Sequence, residues 1–88
     1  MYILKLFPTE NEAYQAFKRD AKSNEVNYVN RSPSKIVKGI RSFYYMSTQS
    51  PDKMRGYLFD KVEVHGYCLT ESLQRSVLHN TSIIEWLE

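Results

Sequence analysis

Tyr2 to Phe7 is a short run of apolar and strand-forming residues closed by Pro8, and it predicts a first β-strand. Directly after it, Thr9-Glu10-Asn11-Glu12 spells a capping box: the Thr9 hydroxyl accepts from the backbone N–H of Glu12 while the Glu12 carboxylate reaches back. A helix is therefore predicted from about Glu10 to Lys22. Ala13, Tyr14, Phe17 and Ala21 recur at spacings of three and four and define its inner face, leaving Gln15, Lys18, Arg19 and Lys22 toward water.

Glu25 to Asn30 reads as a second short strand, followed by the turn Asn30-Arg31-Ser32-Pro33-Ser34. Lys35 to Thr48 is rich in β-forming residues and is either one long strand or a hairpin broken near Gly39. Within it Ile40, Tyr44 and Met46 alternate with Arg41, Phe43 and Tyr45, so both faces carry large side chains and the strand is expected to be central. Ser50 and Pro51 are suited to cap and open a short helical turn that exits at Gly56. Asp60 to His65 is the next strand, with Val62 and Val64 inward. Thr70 starts a second helix with an apolar stripe of Leu69, Leu73, Val77 and Leu78, ending at Asn80, and Ser82 to Leu87 is a last strand. The order predicts one α/β (α+β) domain over residues 1–88, a small sandwich whose mixed sheet of about four or five strands has two helices packed on one face.

Composition agrees with a folded domain. Of 88 residues, 42% are hydrophobic, 14% aromatic and 25% charged, with three Gly and three Pro, which excludes low complexity and disorder. No apolar run reaches the roughly 18 residues of a membrane span, and Met1-Tyr2-Ile3-Leu4-Lys5 does not open a signal peptide, so a cytoplasmic location without membrane attachment is expected. The single Cys68 makes no internal disulfide and is read as a small buried apolar residue. No metal site and no cofactor are expected.

The net charge of +2 is small but unevenly spread. No acidic residue occurs from Val26 to Pro51, an interval that carries Arg31, Lys35, Lys38 and Arg41, while Lys18, Arg19 and Lys22 lie just upstream and Lys53 and Arg55 just beyond. Glu10, Glu12, Glu63, Glu71, Glu85 and Glu88 lie toward the two ends, so one side of the molecule is expected to be basic.

Several phrases resemble the central, Walker B-containing part of the helicase and terminase type of P-loop ATPase, a family commonly carried by bacteriophages. They are Phe7-Pro8-Thr9 with the helix bearing Ala13 and Phe17, then Ser47-Thr48, Arg55-Gly56, and the strand Phe59 to His65. The resemblance spreads over some two-thirds of the chain and implies a phage setting. The chemistry of that family is missing. No segment fits G-x-x-x-x-G-K-[ST], whose backbone amides and Lys would hold the phosphates, and His65 and Gly66 stand where a Mg²⁺-binding acid and a water-orienting acid belong. ATP hydrolysis is therefore not expected. A Cys68 thiol paired with His65 or His79 lacks an orienting third group, both histidines read as ordinary polar residues, and Asp60, Glu63 and Glu71 read as solvent-facing.

A non-enzymatic binding role fits the residues better. Lys and Arg neutralise phosphates while exposed aromatics stack on unpaired bases, and Lys35, Lys38, Arg41, Phe43 and Tyr45 alternate along one segment in that manner. If the Arg41, Phe43, Tyr45 face is open, it is a stacking platform for RNA or single-stranded DNA. If it is covered, the aromatics are core and the cations are solvated edge charges. The expected nucleic-acid-binding set is Lys18, Arg19, Lys22, Arg31, Lys35, Lys38, Arg41, Phe43, Tyr45, Lys53 and Arg55. One alternative is a protein inhibitor or adaptor acting on a host or defence protein, in the manner of small phage antagonists of toxin–antitoxin defence, anchored by tyrosines and Trp86. Another is a small nuclease. Trp86 is either core or, if exposed, the anchor of a symmetric homodimer through the last strand.

Overall fold

In the computed structural model the described residues are all but Ser32, His79, Asn80, Ser82 and Glu88, together with the side chain of Val77. The expected helix end at Asn80, the strand start at Ser82, the readings of His79 and Glu88, the centre of the turn at Ser32 and the place of Val77 in the apolar stripe lie outside the described residues.

Among the described residues there are six strands: β1 (Tyr2–Phe7), β2 (Tyr28–Arg31), β3 (Ser34–Lys38), β4 (Arg41–Ser47), β5 (Lys61–His65) and β6 (Ile83–Leu87). They form one mixed sheet in the order β2-β3-β4-β1-β5-β6, slightly wider than expected. Central β1 is parallel to both β4 and β5, β6 is parallel to β5, and β2-β3-β4 is an antiparallel meander. The region from Lys35 to Thr48 is thus a hairpin, turning at Gly39 with φ 61° and at Ile40, which is 86% exposed rather than part of the strand.

Helix α1 (Glu10–Asp20) begins with the capping box: Thr9 Oγ1 accepts from the N–H of Glu12 at 3.1 Å and donates to the Glu12 carboxylate at 3.0 Å. Helix α2 (Glu71–Val77) is capped by Thr70, whose side chain accepts from the N–H of Leu73, and a single 3-10 turn spans Pro51–Met54. Ser50 precedes that turn without making a side-chain cap.

The helices cover opposite faces, which corrects the expectation of one. Right-handed crossovers leaving β1 toward β4 and β5 toward β6 run in opposite directions along the sheet, so their helices must lie on opposite sides. Alternation along the strands sorts the core accordingly. Leu4, Leu6, Tyr44, Met46, Val62 and Val64 face Met54, Phe59, Leu69 and Leu78, with Leu73 and Cys68 partly buried at the margin. Phe7, Ile36 and Tyr45 face Ala13, Ala16 and Phe17 of α1. Those large sheet residues already fill the space under α1, so its inner positions take Ala16 in place of Tyr14, which is 48% exposed. That too departs from the expected stripe.

At the end of β5, Gly66 has φ 70°, and a Cβ there would lie 3.0 Å from Pro8 Cγ. A side chain would combine left-handed strain of about 1–3 kcal/mol with a clash against the β1–α1 turn. Gly66→Ala is expected to lower the urea midpoint more than Gly39→Ala, whose added Cβ meets nothing within 4 Å.

Candidate nucleic-acid interface

Helix α1 packs over the β3-β4-β1 side of the sheet and leaves a groove on each flank. The first, of about 280 Å³, lies between α1 and β2 and is lined by Tyr14, Phe17, Lys18, Ala21, Lys22, Val29 and Arg31. It contains no acidic side chain. Phe17 forms its buried base, Tyr14 and Val29 are exposed, and Lys18 Nζ lies 5.4 Å from the Tyr14 ring centroid. Three of the expected cations are therefore brought together: Lys18 from α1, Lys22 from the turn after it and Arg31 from β2.

The remaining expected residues are dispersed. Lys38 and Arg41 oppose each other across the β3–β4 hairpin, and Phe43, half-buried, lies beneath Lys5 at 5.2 Å and Lys38 at 5.9 Å. Lys35 is on the opposite sheet face, 5.4 Å from the Tyr44 ring. Lys53 pairs with Glu10 at 3.6 Å, Arg55 with Asp52 at 3.1 Å and Arg19 with Asp20 at 3.2 Å.

Tyr45 is core: it is 5% exposed beneath α1, and its hydroxyl donates to Asp20 Oδ2 at 2.6 Å. The Arg41, Phe43, Tyr45 platform is thus covered at its tyrosine. Trp86 resolves the other way, 46% exposed and stacked on Tyr67 at 6.3 Å. Glu63, read as solvent-facing, is instead partly buried in ion pairs with Lys5 and Lys61, both at 3.7 Å or less. Tyr14 and Val29 were missed because helical spacing placed Tyr14 inward and because β2 joins the groove only through its pairing with β3.

The second groove lies on the other flank of α1, at the carboxyl ends of β1 and β5, and has a volume of about 560 Å³. Phe7, Pro8, His65 and Gly66 line it from the sheet; Asn11, Glu12, Gln15, Ala16 and Arg19 line it from the helix. His65 stacks on Phe7 with centroids 4.4 Å apart, and its Nε2 is shielded without a hydrogen-bond partner among the described residues. Burial, reinforced by the positive charge of Lys5, lowers the His65 pKa below its ordinary 6.5.

The same end of the sheet does not fit a metal-bound triphosphate. The β1–α1 connection is only Pro8-Thr9, the N–H of Glu10 donates to Gln49 Oε1 at 2.7 Å, and the N–H of Glu12 is taken by Thr9. Glu10 and Glu12 already place negative charge at the helix start. Glu10 is held below the usual carboxylate range by a hydrogen bond from Ser50, against the opposing effect of burial, with Ser47 and Lys53 adding to it. The described residues include no group of three or more His, Cys, Asp or Glu placed to hold a metal ion. Nor do they include a helix long and apolar enough to cross a membrane.

Asp20 and His65 give the fold two acid-sensitive windows. For Asp20, burial acts to raise the pKa, but hydrogen bonds from Tyr45 and Arg19 and the charge of Lys5 outweigh it and lower the value below 3.8. Both groups bind protons more weakly in the folded chain, so acid favours unfolding. The His65 contribution is present above about pH 6.5 and is lost as pH falls through the folded-state value; the Asp20 contribution is lost below about 3.8. His65→Phe is expected to flatten the upper decline and leave the lower one, as measured by urea unfolding across pH.

No protein-family profile matches the chain, and no curated protein matches it. Among solved structures it is similar to a mutant ATPase domain of the large terminase of Thermus phage P74-26, with a TM-score of 0.65 and 12% sequence identity. The match covers 98% of this chain and 47% of that one, so the chain spans about half the length of the terminase domain. At that identity the likeness concerns fold alone: the chain shares its architecture with part of a phage large terminase ATPase domain.

Proposed function

We propose that this chain is a non-enzymatic module that binds single-stranded nucleic acid, RNA or DNA, along α1 and the adjoining β2 edge. The observation that carries this reading is the acid-free groove in which Lys18, Lys22 and Arg31 surround Tyr14. Cations there meet phosphates, and an exposed tyrosine offers a face for an unpaired base. The hairpin pair Lys38 and Arg41 extends the positive side of the molecule. The non-enzymatic part of the reading is supported by the self-capped start of α1 and by His65 at the strand end where the P-loop resemblance requires an acid. Fold likeness to part of a phage protein supports a phage setting for the chain.

Fluorescence anisotropy with a labelled single-stranded oligonucleotide, titrated with salt, tests this reading. Three phosphate contacts on a single strand give a slope of log Kobs against log salt of about −2. Absence of binding at low ionic strength would overturn it.

A second reading, an inhibitor or adaptor for a host or defence protein, is favoured by the exposed Tyr67–Trp86 stack beside the β6 edge. It requires a partner that survives nuclease treatment in a pull-down and is lost with Trp86→Ala.

A further inference from the structure

The crevice on the far flank of α1 sits at a special point of the topology. β1 leads to α1 on one sheet face and β5 leads to α2 on the other, while the two strands are parallel neighbours. Adjacent parallel strands whose following connections diverge to opposite faces leave a gap outside their carboxyl ends, and ligands of open α/β sheets bind in such gaps. The groove of about 560 Å³ lies there, between Phe7-Pro8 and His65-Gly66, within the roughly 300–1,000 Å³ of small-ligand pockets.

Its lining selects a chemical class. Asn11, Gln15 and Arg19 follow one another at four-residue intervals on α1, so two primary amides and a guanidinium form a single stripe facing the crevice. Primary amides present donors and an acceptor together, which matches the mixed edge of a nucleobase and is wasted on a simple anion. Opposite that stripe, His65, backed by the buried Phe7 on which it stacks, supplies an aromatic wall, its imidazole kept neutral by burial. Glu12 lines the crevice too and disfavours a phosphate there, as does the anionic start of α1. The absence of a Cβ at Gly66 keeps the mouth clear against Pro8.

We infer that this crevice is a nucleobase site that takes an uncharged planar base between the Asn11–Gln15 amides and the Phe7–His65 wall. On the reading proposed above, on which this step rests, it holds one unpaired base of a strand whose phosphates cross α1 toward Lys18 and Lys22.

The test uses nucleosides, which carry no phosphate, titrated into the isotopically labelled full chain and followed by amide NMR, with ribose as control. Expected are saturable shifts of the Asn11 and Gln15 side-chain amides and of the Gly66 N–H, absent with ribose. In the exposed double variant Asn11→Ala, Gln15→Ala, its fold checked by the unchanged remainder of the spectrum, the shift of the Gly66 N–H should be lost. No shift up to the solubility limit of the nucleoside, or equal shifts with ribose, overturns the site. An oligonucleotide that binds while nucleosides leave the crevice untouched removes the base site and leaves the nucleic-acid reading standing. Nucleosides that bind where the oligonucleotide does not support the site and remove the polymer reading.

Discussion

Replacing Lys18, Lys22 and Arg31 together by glutamine is expected to weaken oligonucleotide binding roughly a hundredfold at low salt and to flatten its salt dependence. An exposed charge about 4 Å from a phosphate contributes about 1 kcal/mol in water, and three such losses sum to about 3 kcal/mol, or roughly two factors of ten. Counterion release adds a second signature: removing three contacts should reduce the salt slope by about 2. All three side chains are exposed and lack ion-pair partners among the described residues, so the variant should fold normally, as circular dichroism would verify. Replacing Lys53 and Arg55 by glutamine is the informative contrast. These cations already face Glu10 and Asp52, and their loss should cost binding much less. Equal losses from the two variants would mean that net charge, rather than the groove, governs affinity.

Leu6→Ala is expected to lower the free energy of unfolding by about 2–5 kcal/mol. Leu6 has no exposed surface and sits on the central strand between Met46 of β4 and Val64 of β5. Against a typical total of about 5–15 kcal/mol, the loss is a large share of the domain's stability. The melting temperature should fall by roughly 10–30 °C. Leu58→Ala, at a position 68% exposed, should change stability by no more than about 0.5 kcal/mol. Comparable effects at the two positions would contradict the placement of the core.

Local signals made much of this fold legible. The Thr9–Glu12 capping box placed the start of α1, Gly39 marked the hairpin, and the Val62, Val64 alternation fixed the inward face of β5. Those features depend on neighbours within a few residues. The choice of sheet face for each helix does not, since it follows from the order of parallel strands and the handedness of the crossovers. Tyr14 and Ala16 exchanged roles for a related reason: spacing alone permits either, and the volumes of Tyr45, Phe7 and Ile36 across the interface decide.

The proposed interface shows in the sequence as a charge pattern but not as a place. The acid-free interval from Val26 to Pro51 supplies only Val29 and Arg31 to the proposed groove, while Lys35 and Lys38 of β3 lie on opposite sheet faces and Tyr45 is buried. The groove joins Arg31 of β2 to the upstream helix cations, a juxtaposition set by tertiary packing. Arg55 pairs with Asp52, three residues away, and so is not a free cation. The stripe of Asn11, Gln15 and Arg19 has a period of four, and the sheet topology gives it a partner wall.

The most direct measurement of the proposed binding surface is a backbone-amide NMR footprint of a saturating single-stranded oligonucleotide on the labelled chain. The expected result is a contiguous set of shifts over the exposed face of α1 and the turn after it, from Tyr14 through Lys22, and over β2 around Arg31. Shifts confined to β6 and the Tyr67–Trp86 stack, or no shifts at low salt, would contradict it.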